Sequence, residues 1–135
     1  MENQIAPFPM SRPRRLRQTD WMRRMVSETV ISPDDLIYPM FICDGAKVTD
    51  PISSMPGVNR LSIDMAVEMA NHAANIGIPV IALFPYTDKK NKNRTCTEAF
   101  NPENIVNRAT RAIRAAVPDI GIMLDVALDP YNSDG

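Results

Sequence analysis

Three continuous apolar runs of strand length punctuate the chain: Leu36-Ile37-Tyr38-Pro39-Met40-Phe41-Ile42, Ile78-Pro79-Val80-Ile81-Ala82-Leu83-Phe84 and Ile120-Gly121-Ile122-Met123-Leu124-Asp125-Val126. Unbroken rather than alternating hydrophobicity belongs to strands covered on both faces, as in parallel sheets. The stretches between them are helical in pattern. Asn101-Pro102-Glu103 supplies a capping side chain, a proline for the first helical position and an acid in the first turn. Ile105, Ala109, Ala112, Ile113 and Ala116 then recur on one face until Pro118. Earlier, Ser62 caps a helix with Ala66, Met69, Ala70 and Ala73 on its face, ending at Gly77. Strand, helix, strand, helix, strand predicts two βαβ units and a parallel sheet. Pro39 counts against a central place for the first strand, because it removes a ladder donor. The excursion from Asp44 to Leu61, with Pro51, Pro56 and Gly57, reads as turns or a small hairpin laid over the first crossover.

Ahead of this pattern, Pro7, Pro9 and Pro13 among polar and basic residues preclude a helix and bury little, so the chain begins as an extended arm. Asp20 is expected to cap a short helix over Trp21 to Glu28, and Ser32-Pro33-Asp34-Asp35 to end it as a turn. Three strands and two helices make a short sheet, with no final helix to cover the third strand. A (β/α)8 barrel takes about 250 residues. The fold class expected is therefore α/β: the first three strands of a TIM barrel, residues 31–135, behind an N-terminal arm with a short helix, residues 1–30.

Among the 135 residues the formal net charge is -1, which gives no overall drive toward nucleic acid or anionic membrane. The basic cluster Arg12, Arg14, Arg15 and Arg17 lacks interleaved aromatics, and an arm gripping a neighbouring subunit suits it better than a nucleic-acid arm. No apolar secretion segment opens the chain, and Ile78 to Tyr86 falls far short of the ~20 residues needed to span a bilayer. A cytoplasmic protein is expected. Cys43 and Cys96 are isolated and read as free thiols. His72, the single histidine, falls on a polar helical face beside Glu68 and Asn75, so no zinc site of ordinary spacing is expected. No glycine-rich phosphate loop is present, and no organic cofactor is expected.

In parallel α/β folds chemistry gathers at the carboxyl ends of the strands, which puts Phe84 to Lys92 and Asp125 to Gly135 on one rim. A carboxylate ending an apolar strand must be paired, hydrated or in use, so Asp125 is the catalytic candidate. Asp129 and Asp134 read as loop acids. A calcium loop fails, since aligning Gly135 with the obligatory glycine puts Pro130 on the first ligand position. Lys89-Lys90-Asn91-Lys92-Asn93-Arg94 reads as a mobile, solvated loop that serves as a lid or attracts an anionic substrate.

Four segments, in this order, carry a resemblance: Arg12-Pro13-Arg14-Arg15-Leu16-Arg17; Asp34-Asp35-Leu36-Ile37-Tyr38-Pro39-Met40-Phe41; Pro51-Ile52-Ser53-Ser54-Met55-Pro56-Gly57-Val58; and Asp125-Val126-Ala127-Leu128-Asp129-Pro130-Tyr131. Together they resemble the N-terminal portion of the porphobilinogen synthases (delta-aminolaevulinic acid dehydratases). The resemblance implies a TIM barrel whose arm wraps a neighbour in a homo-octamer. It also implies a hydro-lyase that condenses two molecules of 5-aminolaevulinate to porphobilinogen with loss of two waters, in tetrapyrrole and haem synthesis. The family works through two Schiff-base lysines on later strands, to which Lys47, Lys89, Lys90 and Lys92 do not correspond. The 135 residues alone are therefore expected to be inactive, and a non-catalytic truncated homologue acting as a subunit-interaction module is the alternative.

By resemblance Asp125 matches the active-site aspartate near a substrate amino group. Ala127 and Asp129 match the two positions where zinc-dependent members carry cysteines. Alanine cannot bind a metal and a lone aspartate favours a hard ion, so Asp129 is the metal candidate, for magnesium or a monovalent cation rather than catalytic zinc. Asp134 stands where the family usually has a histidine.

Overall fold

The computed structural model describes residues 6–134 and divides into two compact units, Met1–Ile31 and Ser32–Gly135. In the first, a 3-10 turn at Arg15–Arg17 precedes α1 (Asp20–Met25). Thr19 takes the N-cap position expected for Asp20, and Asp20 pairs from within the first turn with Arg23 at 3.2 Å and Arg24 at 3.6 Å. The helix stops at Met25, short of the expected Glu28. Val26, Ser27, Thr29, Val30 and Ile31 follow, and β-branched or hydroxyl side chains are poor propagators. None of the described residues of this unit is buried.

The second unit opens on a 3-10 turn, Pro33–Asp35, closed by a capping box. The Ser32 N–H donates to Asp35 Oδ2 at 2.8 Å and its hydroxyl donates to the same oxygen at 3.1 Å. Then follow β1 (Ile37–Ile42), β2 (Thr49–Pro51), β3 (Asn59–Leu61), α2 (Ile63–Asn75), β4 (Val80–Pro85), α3 (Ile105–Ala116) and β5 (Gly121–Leu124). The sheet order is β2-β3-β1-β4-β5. β1, β4 and β5 are parallel neighbours, in register from Ile37↔Val80 to Ile42↔Pro85 and from Val80↔Gly121 to Leu83↔Leu124. Two βαβ units are therefore present, with the expected strands trimmed at their ends.

Two findings differ from the sequence reading of this sheet. The excursion is a hairpin, β2 antiparallel to β3, but it does not lie over the crossover: β3 joins β1 in parallel at Phe41↔Arg60 and Ile42↔Leu61, making five strands rather than three. The free edge of β1 accepts it only at its carboxyl end. Pro39 lies outside those two pairs, where β1 has β4 as its one paired neighbour, so its missing N–H costs no bond on that side.

Ser62 is the N-cap of α2, yet its hydroxyl makes no cap bond. It accepts the Val48 N–H at 2.9 Å and donates to Asp64 Oδ1 at 2.5 Å, fastening the hairpin to the helix start. That hydroxyl, with the Lys47 N–H, holds the Asp64 carboxyl below the usual carboxylate range. At the other end Gly77, at φ 89°, closes a Schellman motif: Ile78 N–H reaches Ala73 O and Gly77 N–H reaches Ala74 O, both at 3.0 Å.

The start of α3 also differs. Asn101 Oδ1 accepts the Glu103 N–H at 2.9 Å in a turn ahead of the helix, and the buried Asn104 caps it, accepting the Asn107 N–H at 2.9 Å. Either asparagine satisfies the sequence rule; the helix begins after Asn104, with Ile105, Val106, Ala109 and Ile113 buried.

Both long helices pack on one face of the sheet. Met40, Ile42, Ile81 and Leu83 meet Ala66, Ala70, Ala73, Ala109 and Ile113 in a single cluster completed by Leu61, Ile105, Val106, Val117 and Ile120. The small alanines of α2 let it approach the strands closely. The opposite face of the sheet is also apolar, presenting Phe41, Ala82, Phe84 and Met123 by strand alternation, with the Phe41 and Phe84 rings 5.7 Å apart. Among the described residues no helix is long and apolar enough to cross a membrane.

Candidate functional site at the carboxyl ends of the strands

The parallel register sends β1, β4 and β5 out on the same edge of the sheet, so the segments that follow them are neighbours. After β4, the Tyr86 N–H continues the ladder to Ile42 O at 2.7 Å. Asp88 then caps a 3-10 turn, Lys89–Asn91: its carboxylate accepts the Lys90 N–H at 3.2 Å and lies 3.3 Å from Lys90 Nζ. These contacts, the backbone one foremost, hold its carboxyl below the usual range.

The basic loop, expected as a mobile, solvated segment, exposes Lys89, Lys90 and Arg94 and carries its own hydrogen bonds. Asn93 Oδ1 accepts the N–H groups of Thr95 and Thr97, each at 3.1 Å, and the Asn93 N–H donates to Tyr131 O at 3.1 Å. Arg94 pairs with Asp134 at 3.1 Å. The loop after β4 is thereby stitched to the loop after β5, as the shared-rim expectation requires. Asn93 and the buried Tyr131 are the residues that sequence reasoning missed. The Asn-x-Thr-x-Thr spacing from Asn93 to Thr97 was the available signal, since an asparagine side chain readily accepts from backbone N–H groups two residues on. Burial, helped by the charge of Glu98, pushes the Tyr131 phenol up.

Asp125 follows β5 directly and is exposed. Met123 and Leu124 are partly open to solvent and Val126 is 97% exposed, in keeping with the expectation that no helix covers the third parallel strand; among the described residues β5 has β4 as its one paired neighbour. The carboxylate is open to solvent at the carboxyl edge of the sheet. Asp129 opens the 3-10 turn Asp129–Tyr131 and is also exposed. Among the described residues no three His, Cys, Asp or Glu side chains converge on a common point, so Asp129 has no partner ligands there. A cation at this carboxylate would need donors besides those described.

A cleft of about 360 Å³ on the same edge is lined by Cys43, Asp44, Tyr86, Asp88 and Lys89. Burial and the nearby Asp50 charge push the Cys43 thiol up, so it is a poor nucleophile at neutral pH. Cys43 and Cys96 are both free and buried, as read from the sequence. His72 is exposed on α2, also as read. The hydroxyl of the buried Thr87 has no hydrogen-bond partner among the described residues.

These features define an α/β protein with a mostly parallel sheet, helices on one face and a carboxyl rim that carries Asp88, Asp125, Asp129 and the Lys89–Arg94 loop. Residues 10–135 match the sequence profile of the family described as delta-aminolevulinic acid dehydratase, and the chain belongs to that family. It is 52% identical to the delta-aminolevulinic acid dehydratase of Bradyrhizobium diazoefficiens over 124 residues, covering 92% of this chain and 35% of the relative. It is 43% identical to that of a Synechocystis species over 128 residues, covering 95% and 38%. A crystal structure of delta-aminolevulinic acid dehydratase (porphobilinogen synthase) from Toxoplasma gondii, in complex with the reaction product porphobilinogen, superposes with a TM-score of 0.81 at 40% identity, over 91% of this chain and 35% of that one. The chain thus spans about a third of the length of the relatives it matches.

Proposed function

We propose that the protein to which these residues belong is a porphobilinogen synthase, a hydro-lyase joining two molecules of 5-aminolaevulinate into porphobilinogen with loss of two waters in tetrapyrrole synthesis. The observation that carries this reading is family membership over residues 10–135, together with a relative of the same fold holding porphobilinogen. Asp125 is the catalytic candidate of this segment. An exposed carboxylate at a strand's carboxyl end is suited to bind a substrate ammonium and exchange a proton with it. The Schiff-base lysines are assigned to strands other than those described here, since a nucleophilic lysine must be desolvated. Lys89 and Lys90 stand instead in an exposed rim loop.

The sheet is read as part of a (β/α)8 barrel. In support, α2 and α3 share one face while the other is apolar and carries Phe41, Ala82 and Phe84, the arrangement of a barrel interior. Residues 1–30 are read as an arm for a neighbouring subunit in a homo-oligomer, supported by the exposure of Trp21, Met25, Val30 and Ile31 in a unit none of whose described residues is buried. That exposure also favours the alternative of a non-catalytic interaction module. Asp129 is the proposed contact for a hard cation, magnesium or a monovalent ion. The two free thiols suit a reducing compartment.

The test is product formation. The protein from the complete reading frame, incubated with 5-aminolaevulinate, is expected to yield a pyrrole detected colorimetrically, and residues 1–135 alone to yield none. Absence of pyrrole from a folded complete protein would leave the interaction module.

A further inference from the structure

We propose that Arg60 is the positioning residue for the rim loop that follows β4, acting through Tyr86. Arg60 lies in the middle of β3, in register with Phe41 of β1 on one side and Asp50 of β2 on the other. Its guanidinium makes two contacts at once. Nη1 donates to Asp50 Oδ2 at 2.9 Å, and Cζ lies 4.4 Å from the centre of the Tyr86 ring. A planar cation suits both, because its edge carries the donors and its face stacks on an aromatic. The Arg60 side chain is only 26% exposed, which strengthens an attraction that water would otherwise screen.

Tyr86 depends on this contact. Its backbone is anchored to Ile42, but the residue is half exposed and its hydroxyl makes no hydrogen bond among the described residues. The ring is a wall of the cleft shared with Cys43, Asp44, Asp88 and Lys89. The succession Asp50, Arg60, Tyr86 therefore ties the β2–β3 hairpin to the loop that carries Lys89 and Lys92, two cations with no ion pair among the described residues. On the proposed function, on which this last step rests, the clamp holds a basic loop at the side from which a carboxylate-bearing substrate enters.

Trypsin reads the clamp directly, because Lys89, Lys90, Lys92 and Arg94 are its own cleavage sites within the loop. In the complete protein, Arg60→Gln is expected to speed cleavage at those four sites about five- to tenfold, the scale of a partly desolvated cation–π contact. Cleavage in residues 12–24 serves as the internal reference and is expected to stay unchanged. Arg60→Lys should restore much of the protection, and Tyr86→Leu should match Arg60→Gln with no further gain in the double variant. In turnover, Arg60→Gln should raise KM with kcat nearly kept. Unchanged loop cleavage in both Arg60→Gln and Tyr86→Leu would overturn the clamp, as would additive effects in the double variant. Were Arg60→Gln to unfold, Tyr86→Leu and its cleavage pattern would still decide. The cleavage assay needs no catalysis, so a failure of the proposed reaction leaves it readable, and a failure of the clamp leaves product formation intact.

Discussion

Asp125→Asn is expected to lower kcat for condensation of 5-aminolaevulinate by about a hundred- to ten-thousandfold, the range lost with a positioned proton-transfer group. Asparagine keeps the shape but can neither neutralise an ammonium nor take its proton. Asp125 makes no ion pair among the described residues and asparagine matches it in size, so the substitution should change stability little. The loss should thus fall on turnover with an unchanged melting temperature. Asp129→Asn, one short turn further on, should have a much smaller effect on kcat and act on any cation dependence. Steady-state kinetics beside thermal denaturation checks both, and an Asp125→Asn variant within threefold of the parent kcat would remove Asp125 from the chemistry.

The largest effect on folding is expected at Leu83, in the middle of β4. It is 1% exposed and belongs to the cluster that joins the sheet to α2 and α3. Leu83→Ala deletes atoms between rigid neighbours that cannot collapse into the gap, and should cost about 3 kcal/mol through lost transfer energy and the cavity left behind. Val126→Ala, at a side chain 97% exposed, should be nearly neutral. Urea unfolding followed by circular dichroism separates the two: a shared midpoint would mean that the helix-bearing face of the sheet is not the core.

The parallel framework was legible because its signals are local and redundant. Ile81 and Leu83 sit in an unbroken apolar run, Ile105, Ala109 and Ile113 repeat at helical spacing, and Gly77 closes α2 with the left-handed φ that its place demands. The joining of β3 to β1 was not legible. Thr49-Asp50-Pro51 and Asn59-Arg60-Leu61 have no apolar pattern of their own, and their pairing depends on an edge of β1 set by a different part of the chain. Nor does the sequence choose between Asn101 and Asn104, since both residues satisfy the local capping rule.

At the site, Asp125 and the rim were legible from strand ends and composition. The folded state of the basic loop turns on Asn93, Thr97 and Tyr131, polar and aromatic residues whose sequence positions carry little signal until two loops are brought together. Arg60 and Tyr86, 26 residues apart, become partners only through the same sheet.

Borohydride reduction of the complete protein in the presence of 5-aminolaevulinate tests the central claim most directly, because it converts a substrate imine into a stable amine at the lysine that formed it. Peptide mapping is expected to place the label on a lysine outside residues 1–135, and Asp125→Asn to leave that lysine able to react. Label on Lys47, Lys89, Lys90 or Lys92, or none in a protein that turns the substrate over, would contradict it.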